Sequence, residues 1–175
     1  MSISALEAAG PAARKAVQAP AVLPKADLLE KEMLKHPQIR CETVHLFAKD
    51  TYVRQITMPA NSIIVGHRHK TDHVNNIVRG KCLVVQDGGE PELLEAPYVF
   101  VSKPGVRKAL LILEETVWQT VHVVDLPEAP ETQEEHDALV EKLEDELIVR
   151  STEWLEHYKN HELVDDMRTL TEHTK

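Results

Sequence analysis

Gly66-His67-Arg68-His69-Lys70-Thr71-Asp72-His73 is the stretch on which the fold and chemistry of this chain turn. On a β-strand, side chains alternate between faces with period two, so His67 and His69 would point the same way and bring two imidazoles to one small volume. His73 follows four residues after His69, where a strand end or tight turn can return a third imidazole to the same place. Neutral imidazole is a ligand for first-row divalent ions, and three of them leave coordination positions open for water or another ligand. His67, His69 and His73 are therefore the expected metal ligands. By the same parity Ile63 and Val65 would line the wall beside them. Either Asn75 or Asn76 would join from the next strand, and Asn76 is taken as the substrate-binding donor.

The stretch lies within residues 39–125, a succession of short segments rich in Val, Ile and Leu and separated by turn signals, which is the pattern of an all-β sandwich or barrel. Strands are predicted at 39–47, 52–58, 62–69, 74–78, 81–86, 98–102, 108–113 and 116–124. Asp87-Gly88-Gly89 is the clearest hairpin turn, and Lys103-Pro104-Gly105 is a second corner. On both sides the pattern changes. Residues 1–24, rich in Ala and Pro, read as an arm, and Asp27 can cap a short helix through Leu28, Leu29, Met33 and Leu34 that ends at Pro37. Beyond the proline-bearing residues 126–130, Leu139, Leu143 and Leu147 recur at helical spacing with Val140 and Ile148, opposite Glu134, Glu141, Glu144 and Asp145. Ser151 or Thr152 can cap a second helix with Trp154, Leu155, Tyr158, Val164, Met167 and Leu170 as its apolar side. Such stripes pack on the parent domain or on a partner or twin subunit. The expected division is an arm and short helix over 1–37, a barrel over 38–126 and an acidic helical tail over 127–175.

Composition limits the function classes. The chain has 175 residues, 42% hydrophobic and 28% charged, enough for one modest core. Aromatics at 4% and a formal charge of -9 argue against a nucleic-acid partner. Residues 125–175 hold 16 of the 29 acidic and 5 of the 20 basic residues, so the acidity belongs to the tail. Cys41 and Cys82 are too few for a disulfide scaffold and read as reduced thiols of a cytoplasmic protein. There is no apolar run of membrane-spanning length, no secretory leader pattern, no GxSxG elbow, no phosphate-binding GxxxxGK[ST] and no CxxC.

His67, His69 and Gly80 stand at the spacing of the first motif of the cupin superfamily, and Lys103-Pro104-Gly105-Val106-Arg107-Lys108 is similar to the corner that opens its second. Over residues 40 to 125 the chain thus resembles a cupin. The resemblance implies a mainly β fold, a double-stranded β-helix or jelly-roll barrel with a pocket inside, here carrying an N-terminal arm and C-terminal helices. It departs from the family at two places: His73 stands where the motif has glutamate, and Lys108 where the second motif has histidine. The first departure turns a mixed ligand set into three histidines. The second puts an ammonium near a cation: at about 5 Å and an effective dielectric near 20 the repulsion amounts to several kcal/mol. An anionic substrate bridging cation and lysine relieves it, as does loss of the lysine proton, rotation to solvent, or a site with no metal in which the lysine holds the anion alone. Lys108 is accordingly both the catalytic and the substrate-binding candidate.

The cofactor expected is a divalent Fe, Mn, Ni or Zn ion, since all accept imidazole. A barrel-lining histidine pair can also be hydrogen-bonded to backbone and water without metal. His122, between Val121 and Val123, reads as an ordinary core or surface histidine that can also face the pocket, and His45 reads the same way. Arg54, Gln55 and Gln119 are further possible donors, and His136, His157, His161 and His173 read as solvent-facing. Two function classes follow. One is a metal-dependent, dioxygenase- or isomerase-like enzyme acting on a small anionic molecule. The other is a scaffold, assembly component or small-molecule sensor, homo-oligomeric through barrel, arm or tail, with neither membrane nor nucleic acid as partner.

Overall fold

The computed structural model describes residues 26–86, 89–126, 128–152 and 154–156, so the expected arm and most of the second tail helix, with Tyr158, Val164, Met167 and Leu170, lie outside the described residues. Helix α1 (Ala26–Met33) leads into β1 (Glu42–Ala48), β2 (Thr51–Met58), β3 (Ile63–Val65), β4 (Arg68–His69), β5 (His73–Gln86), β6 (Glu92–Glu95), β7 (Tyr98–Ser102) and β8 (Lys108–Val123). Helix α2 (Gln133–Leu147) and β9 (Ile148–Val149) follow. The fold is mainly β and antiparallel, as the segment pattern predicts.

Two long strands organise it. The first part of β5 pairs with β7 on one side and with the second part of β8 on the other; the second part of β5 pairs with β6 and with the first part of β8. β8 in turn pairs with β2 along its second part and with β3 along its first. One half of the barrel therefore runs β1-β2-β8-β5-β7 and the other β3-β8-β5-β6. The sequence pattern predicts four strands where these two run, because turn-like residues sit at Arg79-Gly80 and Glu114-Glu115. The structure bends there without breaking: the register shifts between Ile77 and Cys82, and Gly80 takes φ 91. A Cβ on Gly80 would lie 2.2 Å from the Glu115 carbonyl oxygen and 2.7 Å from the Thr116 Cα. The short strands β6 and β9, of four and two residues, carry no periodicity that sequence reading can use.

The core fills the space between the halves. Ile77 and Trp118 from one half meet Cys82, Val84, Leu110 and Ile112 from the other, with Met58 and Leu94 completing the group. Both cysteines are free, and burial pushes the Cys82 thiol up to about 12. Asp27, expected as a cap, instead lies within the first turn of α1. Buried Arg107 bonds Asp27 Oδ1 at 2.6 Å, Glu30 Oε1 at 2.5 Å and the Gly66 carbonyl at 2.9 Å, tying α1 and the loop before β4 to the start of β8.

Helix α2 opens with a capping box between Thr132 and Glu135 and lays Leu139, Leu143 and Leu147 on Tyr52 and Phe47. Its stripe thus packs on the parent barrel. After Leu147 the chain straightens, and β9 pairs with β4, placing Ile148 opposite His69. Ser151 accepts a hydrogen bond from the Trp154 amide at 3.1 Å, as the capping expectation has it. No helix of the described residues is long and apolar enough to cross a membrane.

The outer face of the five-stranded half carries one unbroken row, Leu46, Val53, Val121, Val74 and Val101, directly opposite one another across all five strands. The neighbouring row is Val44, Gln55, Gln119, Asn76 and Val99, in which the three amides bond in series: Asn76 to Gln119 at 2.9 Å and Gln119 to Gln55 at 2.8 Å.

Gly80→Ala is expected to lower unfolding free energy by about 2 kcal/mol or more, since it adds both a strained φ and a backbone clash. Denaturant titration checks this, and a change below about 0.5 kcal/mol would show that the bend relaxes freely.

Candidate metal centre

The interior of the five-stranded half changes from apolar to polar toward the start of β5. Next to Ile77 and Trp118, buried Asn75 donates to Ser102 Oγ at 2.9 Å and accepts from the Trp118 indole at 3.0 Å. One step further along each strand come His73 and His122, both buried, on the face opposite the paired Val74 and Val121. His69 reaches the same point from β4. Its ring centroid lies 4.0 Å from that of His73 and 5.0 Å from that of His122, and the latter two are 5.0 Å apart. One ligating nitrogen from each of the three lies within 4.8 Å of the others.

Thr71 holds two of these rings. Its carbonyl accepts from His73 Nδ1 at 3.2 Å, and its hydroxyl meets His122 Nδ1 at 3.3 Å. That leaves the Nε2 of both rings for the centre. His122 Nε2 lies 3.1 Å from His69 Nδ1, whereas His73 Nε2 is buried with no hydrogen-bond partner among the described residues. A buried nitrogen lone pair left unmet costs free energy that a bound cation would recover. The outer partner at Thr71 is also the arrangement by which metal-ligating imidazoles are oriented. The donor set therefore fits a divalent ion.

The electrostatics agree. Burial, then the neighbouring His73, His122 and Lys108, pushes His69 down to about 2. Burial and then His73 push His122 down to about 4, and burial lowers His73 against the opposing Thr71 carbonyl. All three are neutral, with lone pairs available, at physiological pH. Lys108 is buried at the start of β8, its Nζ 5.8 Å from the Phe100 ring centroid, and its charge bears on both His69 and His73. Tyr52 packs beside His122, and its hydroxyl bonds His45 Nδ1 at 2.7 Å.

The structure brings together His69, His73 and Lys108 of the expected residues, and separates two others. His67 does not share a strand with His69: β3 ends at Val65, and the chain leaves β8 at Gly66, whose carbonyl is taken by Arg107, before β4 pairs with the tail. Period two does not carry across that break. The His67 ring instead meets Trp154 edge-on at 4.8 Å, and His122, expected as an ordinary histidine, stands in the trio. Asn76 lies on the outer face in the amide row, while its neighbour Asn75 faces inward, so strand parity counted from His73 would have chosen correctly. Ile63 likewise is largely exposed. Thr71 was visible inside the quoted stretch, but nothing in a sequence marks which threonine will serve as a bracket.

These imidazoles set the sign of an acid effect. Unfolded, each binds a proton below about pH 6.5; folded, each binds it only at lower pH, so the unfolded state holds more protons as pH falls. Their contribution is fully present above pH 6.5 and lost below it. The denaturant midpoint of metal-free protein should be level between pH 8 and 7 and fall from pH 6.5 to 5, with a shallower fall in His122→Gln. A midpoint constant down to pH 5 would contradict buried neutral rings.

No protein-family model matches the chain, and no curated protein does. Solved structures do. Over 48% of this chain and 80% of its own length, an RmlC-like cupin family protein with a double-stranded β-helix fold from Methanocaldococcus jannaschii is similar at 11% identity and TM-score 0.42. The DMSP lyase DddQ from Ruegeria pomeroyi is similar over 54% of this chain and 52% of its own, at 18% identity and TM-score 0.43. KdgF from Halomonas sp. is similar over 51% and 83%, at 17% identity and TM-score 0.41. Each likeness spans about half the chain.

Proposed function

We propose that this protein binds a divalent metal ion through His69, His73 and His122 and takes a small anionic molecule beside Lys108. The observation that carries the reading is the buried His73 Nε2, without a hydrogen-bond partner among the described residues, beside two other neutral imidazoles. Three neutral ligands cancel none of the cation's charge, and Lys108 adds to it, so the centre favours an anion as its remaining ligand. Thr71 fixes the rings, Lys108 orients the anion, and the buried setting strengthens both interactions. A bound ion would supply Lewis acidity or activation of oxygen. Fe, Mn, Ni and Zn all suit the donor set.

Elemental analysis of untagged protein tests this. About one ion per chain is expected in the wild type and in His67→Ala, and far less in His73→Ala and His122→Ala. Thr71→Val should weaken binding by about 10- to 100-fold. A folded, metal-free wild type defeats the reading, as does metal loss in His67→Ala with retention in His122→Ala.

A second reading, assembly, is favoured by the outer valine rows. Val99 is 63% exposed, Val101 59%, Leu46 50% and Val74 38%, an apolar surface of the kind that marks an interaction face. The occupant proposed is a second copy of this chain. The two central rows carry no charged side chain, so a two-fold related copy meets no like charge there despite the net charge of -9. Five strands span about 19 Å, a patch at the small end of stable interfaces. Sedimentation should find a dimer that Val74→Glu with Val101→Glu converts to monomer; a monomeric wild type at about 100 µM would exclude it.

A further inference from the structure

A cavity of about 670 Å³ lies between α1, the inner faces of β1 and β2, the end of β3 and the segment after α2. His69, His73, His122 and Lys108 do not line it. Leu34, Ile39, Ile56 and Ile64 give it apolar walls, into which Arg54, His67, Glu144 and Arg150 also project. That volume and that mixture, mostly apolar with a few polar groups, are those of small-molecule sites.

The polar groups are incompletely used. Arg54 donates from Nε to Glu144 Oε1 at 3.2 Å, and its two terminal nitrogens make no hydrogen bond among the described residues. Glu144 is shared, since its other oxygen accepts from Arg150 at 2.7 Å. Among the described residues the buried Nδ1 of His67 has no partner at all. Glu30 lines the cavity as well, but Arg107 engages it at 2.5 Å. Asp145, which also bonds Arg150, is exposed and outside the lining. Facing the cavity, then, are two guanidinium groups against one available carboxylate. A planar donor fork with free terminal nitrogens is shaped for a second carboxylate.

We infer that this cavity binds an apolar carboxylate, its head on the terminal nitrogens of Arg54 and near His67, its body against Ile39, Ile56 and Ile64. The inference does not rest on the metal centre, because the two sites share no lining residue. Occupancy would also place the ligand beside Glu144 and Trp154, residues of the tail that closes over the barrel.

The test is calorimetric titration of the full chain with octanoate, octanamide and acetate, with metal content measured on every sample. Octanoate should bind, and octanamide and acetate should bind at least about tenfold more weakly, the first lacking the charge and the second the apolar body. Arg54→Gln should weaken octanoate at least about tenfold, and Arg54→Lys, which keeps the charge beside Glu144 but not the fork, by a smaller factor. Metal content should be unchanged in both variants, which also reports that the barrel is folded. Equal binding of octanoate and octanamide, or octanoate affinity unaltered in both variants, would overturn the inference. Failure of the metal reading would show separately, as absence of the ion in every sample.

Discussion

The register of β5 on β8 is the constraint from which the rest of the structure follows. With Val74 opposite Val121, the inward residues of this end of the two strands are placed: Ile77 by Trp118 in the core, Asn75 by Thr120, and His73 by His122 where the lining turns polar. A slip of one residue in either strand would turn that strand's histidine to the outer face and bring its valine in. The apolar contacts that hold the register are therefore also what bring two of the three clustered imidazoles together. The bend at Gly80 lets one continuous pair of strands serve both halves of the barrel, so core and centre are built on the same two segments.

Polar side chains do the remaining positioning, and each does it by satisfying several groups at once. Arg107 joins two acids of α1 to the Gly66 carbonyl, which sets where the chain departs from β8 and thus where β4 can form. Thr71 uses carbonyl and hydroxyl on two different rings. Breaking a buried group of this kind leaves several partners unmet, which is more costly than loss of a surface pair.

The mainly β fold was legible because strands of Val, Ile and Leu between turns are a strong signal, and the tail helix because its leucines recur every four residues. His69, His73 and Lys108 were found for the same reason: they lie within one short stretch or at a recognisable corner. What sequence could not supply was non-local. His122 joins the trio through a pairing 49 residues away from His73, and His67 is lost from it because Gly66 ends a strand that the pattern carries on to His69. Between Asn75 and Asn76 the residues alone left the choice open, and the structure turns Asn75 inward and Asn76 to the outer amide row. The join of four predicted strands into β5 and β8 needed the backbone at Gly80, where a turn residue serves a bend.

His69 is held in place by a partner that comes late in the chain. Every strand of the large sheet is complete by Val123, whereas Ile148, which faces His69 across the β4–β9 pair, follows a whole helix later. A chain emerging from the ribosome amino end first therefore presents every strand of the large sheet before the segment that fastens His69. The position of His69 thus depends on residues made after the whole of the large sheet.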